Sequence, residues 1–181
     1  GNKIGNFVHR SLTFIEKNWP EGLPAAAFKG LSSHPQLEVM TTYQKKISAA
    51  LDGFEFCRAL SEVILLSQAA NEFFHVSEPW KQVKTDKVQA AVTLALSVVY
   101  IGAIATILQP FVPAMSAAML KHFEGYLQDS DRLDLYAGKF ARLIERLAEG
   151  YKSPIPAKVL LPRIDPLRIK ACKEELQGKV K

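Results

Sequence analysis

Apolar residues at positions 4, 7, 8, 12 and 15 recur at the spacing of one helix face, and Trp19-Pro20 closes the stretch, so the pattern predicts an amphipathic helix over 4–18. Residues 20–35, PEGLPAAAFKGLSSHP, hold three prolines and two glycines and predict a loop. A second helix is expected from Gln36 to about Leu51, ending at Asp52-Gly53, and a third over 54–76, with Phe54, Cys57, Leu60, Ile64, Leu65 and Ala69 turned to a core. Asp86 suits the N-cap of a fourth helix over 88–108, and Gln109-Pro110-Phe111-Val112-Pro113 forces a turn after it. Two more helices are expected near 114–127 and 131–149. The prolines of SPIPAKVLLPRIDP keep the following segment extended, and a short charged helix over 167–177 comes last. No strand alternation appears. The expectation is an all-α helix bundle over 1–152, with an extended tail and short C-terminal helix over 153–181 packing on the bundle or leaving it.

One run changes that picture if taken at face value. Residues 88–108, VQAAVTLALSVVYIGAIATIL, contain no charge and are long enough to cross a bilayer. Gln89, Thr93, Ser97, Tyr100 and Thr106 dilute the run, many of its positions are alanine, and no basic cluster flanks it. The reading is the central buried helix of a bundle, with no membrane partner.

Composition fits a soluble globular chain, with 48% hydrophobic and 23% charged residues among 181. A net charge of +5 favours anionic partners without requiring them, because no dense basic run occurs. Cys57 and Cys172 stand far apart, in neither a disulfide framework nor a zinc spacing, which points to reduced thiols in an intracellular compartment. The opening GNKIGNF lacks the features of a signal peptide and reads as a cut inside a longer protein.

Candidate chemistry is sparse. His9, His34, His75 and His122 show no metal-ligand spacing, and neither a nucleophile elbow nor a phosphate-binding glycine loop is present, so no catalytic residue and no metal site is expected. Acidic residues such as Asp52, Glu55, Asp129 and Asp131 fall where caps and helix dipoles place them. Two features point to binding instead. Asn6, Arg10, Thr13 and Lys17 form one polar stripe opposite the apolar side of the first helix, setting an amide one turn from a planar cation with five donors. That pairing suits a base edge and a phosphate, and equally a solvated helix face. In NEFFHVSEPWKQV, residues 71–83, a tryptophan follows the proline at a helix break. There it either plugs the end of a core or stands as a stacking surface.

Four blocks lie in order along the chain: GNFVHRSLTFI, NEFFHVSEPWK, ILQPFVPAMSAAM and VLLPRID. Together they resemble the anticodon-binding domain of methionyl-tRNA synthetase, in the cytosolic eukaryotic style. The resemblance covers residues 5 to about 165. The related domains of the leucine, isoleucine, valine and cysteine enzymes share the helical bundle, but an N-x-x-x-R helix paired with a later PWK is similar to the methionine enzyme. The resemblance implies that Asn6, Arg10 and Trp80 meet in one cleft and recognise the CAU anticodon of methionine tRNAs, with Pro79 stopping the third helix so that the indole projects. His9, Lys17, Asn71 and Pro79 are the further candidate RNA contacts, whereas Trp19 projects with the apolar side of its helix into the core. The implied partners are methionine tRNA and an N-terminal catalytic domain in cis, in the cytoplasm. The HIGH and KMSKS signatures are absent from the sequence. ATP and methionine would therefore bind the missing catalytic domain, leaving this fragment without cofactors and inactive alone. The alternatives are the equivalent domain of another class I synthetase, or a helical interaction or membrane-associated domain in which Trp80 is packing.

Overall fold

The computed structural model describes residues 3–157 of the chain, and the short helix expected over 167–177 lies outside them. Within them are eight α-helices: α1 (Lys3–Asn18), α2 (Pro35–Asp52), α3 (Phe56–Ser77), α4 (Pro79–Thr85), α5 (Lys87–Ile107), α6 (Pro113–Leu120), α7 (Asp129–Tyr136) and α8 (Phe140–Arg146). The loop after α1 coils into two short 3-10 turns.

The run that could have crossed a membrane is the axis of the molecule. Helix α5 packs on α1, α3, α4, α6, α7 and α8, and 94% of its apolar window is buried in protein. Its polar residues have partners: Thr93 Oγ1 donates to Gln82 Oε1 at 2.9 Å, Ser97 Oγ to the Thr93 carbonyl at 2.9 Å and Tyr100 Oη to Gln36 Oε1 at 2.6 Å. A buried helix can carry such groups only when they are satisfied, as these are. Asp86 is the N-cap that the sequence suggests, its Oδ1 accepting from the Gln89 amide at 2.9 Å.

The helix expected near 114–127 ends at Leu120 and passes into a 3-10 turn, α4 was not expected, and three further details depart from the sequence reading. The core face of α3 is Ala59, Val63, Leu66, Ala70 and Phe74, whereas Phe54 is 80% exposed, Cys57 is exposed, and Ile64 and Leu65 are largely outward. Helix α3 has apolar residues on nearly every side, so periodicity did not single out its buried face. The small side chains on the true face let α2 and α1 pack closely against it. The helix expected over 131–149 is two, α7 and α8, broken at Gly138 with φ +74°. A two-residue antiparallel bridge, β1 (Leu23–Pro24) with β2 (Gly150–Tyr151), is too short for any alternation to reveal.

That bridge secures the end of the bundle. Lys152 Nζ reaches Glu21, and the Ala157 amide donates to Glu16 Oε1 at 2.6 Å, so residues 152–157 run back across the end of α1. Gly150 makes it possible, with φ +112° and a Cβ position only 2.7 Å from the Leu23 carbonyl oxygen. Gly150→Ala is expected to destabilise the chain by about 1–3 kcal/mol, seen as a lower melting temperature with unchanged helical signal before the transition. An unchanged melting temperature would mean that the bridge is not held tightly.

Candidate nucleic-acid interface

The stripe on α1 is where the sequence puts it. Asn6, Arg10, Thr13 and Lys17 are all exposed, while Phe7, Val8, Leu12 and Ile15 are buried on the opposite side. Exposure alone would leave this a solvated helix face. The difference comes from what α3 and α4 bring beside it.

Helix α3 ends near the start of α1. Asn71 Nδ2 donates both to the Ser67 carbonyl at 2.8 Å, in its own helix, and to the Lys3 carbonyl at 3.1 Å, tying the two helices. Phe74, one turn further along α3, is 3% exposed and meets Phe7 edge-on with ring centroids 6.2 Å apart. Glu78 then adopts a left-handed backbone, φ 46° and ψ 57°, and Pro79 opens α4 at its first position. The change of direction at Glu78, rather than a simple stop at Pro79, turns the chain so that Trp80 comes back over the end of α3. Its indole lies 6.1 Å from the Phe74 ring and 6.0 Å from that of His75, tilted by 49° and 42° respectively.

Arg10 completes the arrangement. Its guanidinium carbon sits 5.2 Å from the Phe74 centroid and 5.9 Å from the Trp80 centroid. Two aromatic faces hold one cation here, an attraction of about 0.5–1 kcal/mol each at exposed sites. Arg10 has no carboxylate partner among the described residues, so its donors and its charge remain available. Asn6 lies one turn nearer the start of α1, about 6 Å along the axis, and its side chain makes no hydrogen bond to a described residue. The structure thus brings Arg10 and Trp80 together across 70 positions of sequence, with Asn6 next along the same stripe.

The other candidates divide. Lys17 is exposed, two turns beyond Arg10 and away from the aromatics. His9 is half-buried beside the stripe. The Asn71 amide nitrogen is spent on two carbonyls, so its clearest part is to position α3 against α1. Pro79 is buried, so it shapes the turn beneath the surface. Trp19 is 9% exposed with the Lys87 ammonium 5.4 Å from its ring centroid, a core residue as its helix position implies.

Sequence reasoning missed Phe74 and His75. Both lie in the NEFFHVSEPWK block, and Phe74 is three residues beyond Asn71 on the side of α3 that meets α1. That spacing was the available signal.

Trp80 is half-buried and packs beside Phe74. Clefts are found on other parts of the surface. One of about 600 Å³ is lined by Ser32, Leu37, Asp134, Lys139 and Arg142, and another of about 250 Å³ lies between Trp19 and residues 151–156. An unstacked base needs an aromatic face and polar groups at its edge, which the surface around Trp80 offers.

The family of the anticodon binding domain of methionyl tRNA ligase matches residues 10–180. Among curated relatives, the methionine–tRNA ligase of Methanobrevibacter smithii is 31% identical over 98% of this chain and 26% of its own length. That of Ruegeria pomeroyi is 30% identical over 89% of this chain and 27% of its own length. The chain therefore spans about a quarter of the relatives it matches. Among solved structures, free Mycobacterium tuberculosis methionyl-tRNA synthetase aligns with a TM-score of 0.69 at 24% identity, over 91% of this chain and 32% of that one. The similarity to that structure is one of fold.

Proposed function

The chain belongs to the family of anticodon-binding domains of methionyl tRNA ligase, and from that premise we propose that it selects methionine tRNAs by holding their CAU anticodon against Asn6, Arg10 and Trp80. The observation that carries this reading is the Arg10 guanidinium, without a carboxylate partner among the described residues, lying over both Phe74 and Trp80 on an exposed face. An aromatic face stacks an unpaired base of any kind, and the polar groups beside it supply the choice among bases. Asn6 donates and accepts at a Watson–Crick edge, which for cytosine means donating to the carbonyl and accepting from the exocyclic amine. Arg10, placed beside two rings, offers donors to a base edge or phosphate.

Joining of methionine to the tRNA, with the binding of ATP and methionine, belongs in this reading to a catalytic domain in the same parent polypeptide. The working compartment is the cytoplasm. The four sequence blocks support a cytosolic eukaryotic type, although the relatives compared above are archaeal and bacterial.

Binding of the purified chain to a CAU anticodon stem-loop, beside stem-loops changed at each anticodon position, tests the proposal. The CAU loop should bind best. Asn6→Ala should lose about 0.5–1.5 kcal/mol for each hydrogen bond removed, chiefly by relaxing base choice. Arg10→Ala should weaken binding to every loop and reduce the salt slope by about one phosphate's worth, near 0.7 for a single strand. Equal affinity for all loops at low salt would overturn the proposal.

A further inference from the structure

We propose that His75 is a specificity-determining contact of this RNA site, hydrogen-bonding through its ring nitrogens to the unpaired nucleotide next to the one stacked on Trp80. The inference rests on the anticodon reading above and adds a residue to that site. His75 stands in the last turn of α3, where a basic side chain commonly serves the helix dipole or caps a free carbonyl. It caps none: its side chain makes no hydrogen bond to a described residue, and the backbone N–H of Glu78 instead satisfies its own carbonyl. The imidazole leans on Trp80 at 6.0 Å between centroids and a tilt of 42°.

That geometry is specific in two ways. A tilted contact at this distance is not a face-to-face stack, so the imidazole does not lie flat over the indole. Both ring nitrogens are left to water on an exposed residue, and water is displaced at little loss when a base edge reproduces its hydrogen bonds. Trp80 is thus flanked by Arg10 and by His75. The imidazole differs from Arg10 in carrying an acceptor as well as a donor when neutral, so it can accept from the exocyclic amino group of a base, which the donor-only guanidinium cannot. Consecutive bases of a loop splayed over this surface would meet the indole and then the imidazole.

The test is binding of the full 181-residue chain to CAU anticodon stem-loops with each loop nucleotide replaced in turn, alongside melting temperatures. His75→Ala is expected to lower affinity for the unmodified loop by about three- to tenfold, the worth of one hydrogen bond, and to erase preference at one loop position. His75→Gln should recover part of that preference. His75→Phe keeps a ring against Trp80 and should not. If His75→Ala or His75→Phe binds and discriminates as the unaltered chain does while Trp80→Ala weakens binding, the proposal falls and the anticodon reading stands. If Trp80→Ala is also without effect, both fall together.

Discussion

Trp80→Ala is expected to weaken binding of a CAU anticodon stem-loop by about 1–3 kcal/mol, the loss of one base-on-aromatic stack. The indole is also the second face over Arg10, so its removal frees the guanidinium and some affinity for every loop should go with it. Stability should change less. Trp80 is half-buried, and the neighbouring Phe74 stays enclosed by Phe7 and the rest of the core. Truncation removes contact on one side of the ring rather than opening a sealed cavity, so the cost falls below the 3–5 kcal/mol of a buried tryptophan. Anticodon discrimination measured beside melting temperature separates the two roles. A collapse of the fold with no selective effect on RNA would make Trp80 a core plug and remove the site. Trp80→Phe refines the result, since a smaller ring should retain part of the stacking and part of the hold on Arg10.

How far the sequence anticipates the candidate site depends on the kind of signal each residue leaves. Asn6 and Arg10 were legible because α1 has a clean division of faces, with Phe7, Leu12 and Ile15 buried and the stripe exposed. The cap at Asp86 and the burial of Trp19 were legible for the same local reason. Trp80 was conspicuous by its place after a proline, but its meeting with Arg10 is a tertiary fact. It depends on the left-handed turn at Glu78 and the anchoring of α3 to α1 through Asn71, neither of which has a sequence period. The buried face of α3 was misplaced because an apolar side chain is a poor marker where apolar residues surround the helix. Ala59 and Ala70 carry less apolar surface than Phe54 or Ile64, yet they are the ones that allow close packing. The polar side chains scattered through residues 88–108 mark them as a core helix, and Thr93, Ser97, Tyr100 and Thr106 have partners within the fold.

Ile101→Ala is expected to have the converse effect of Trp80→Ala, a large loss of stability with RNA choice preserved in the folded protein. Ile101 is fully buried in α5, among helices that close around it on several sides. Its neighbour Gly102 shows how little room remains there, since a Cβ at that position would lie 2.8 Å from Leu143 Cδ2 and 3.3 Å from the Phe123 ring. A packed site of this kind collapses only partly when atoms are removed, so the cost should be about 2–5 kcal/mol. For a chain of this size that lowers the melting temperature by about 5–15 °C. Helix α5 touches α1, α3 and α4, which carry Arg10, His75 and Trp80, yet Ile101 itself is not among the residues of the proposed site. Once folded, the chain should keep its order of preference among loops. The same variant discriminates the remaining alternative for this helix. On a lipid-facing helix the change would leave no cavity in protein and would alter vesicle partitioning rather than aqueous stability. A melting temperature insensitive to Ile101→Ala, together with association of the unaltered chain with vesicles, would therefore count against α5 as the core and in favour of a membrane role.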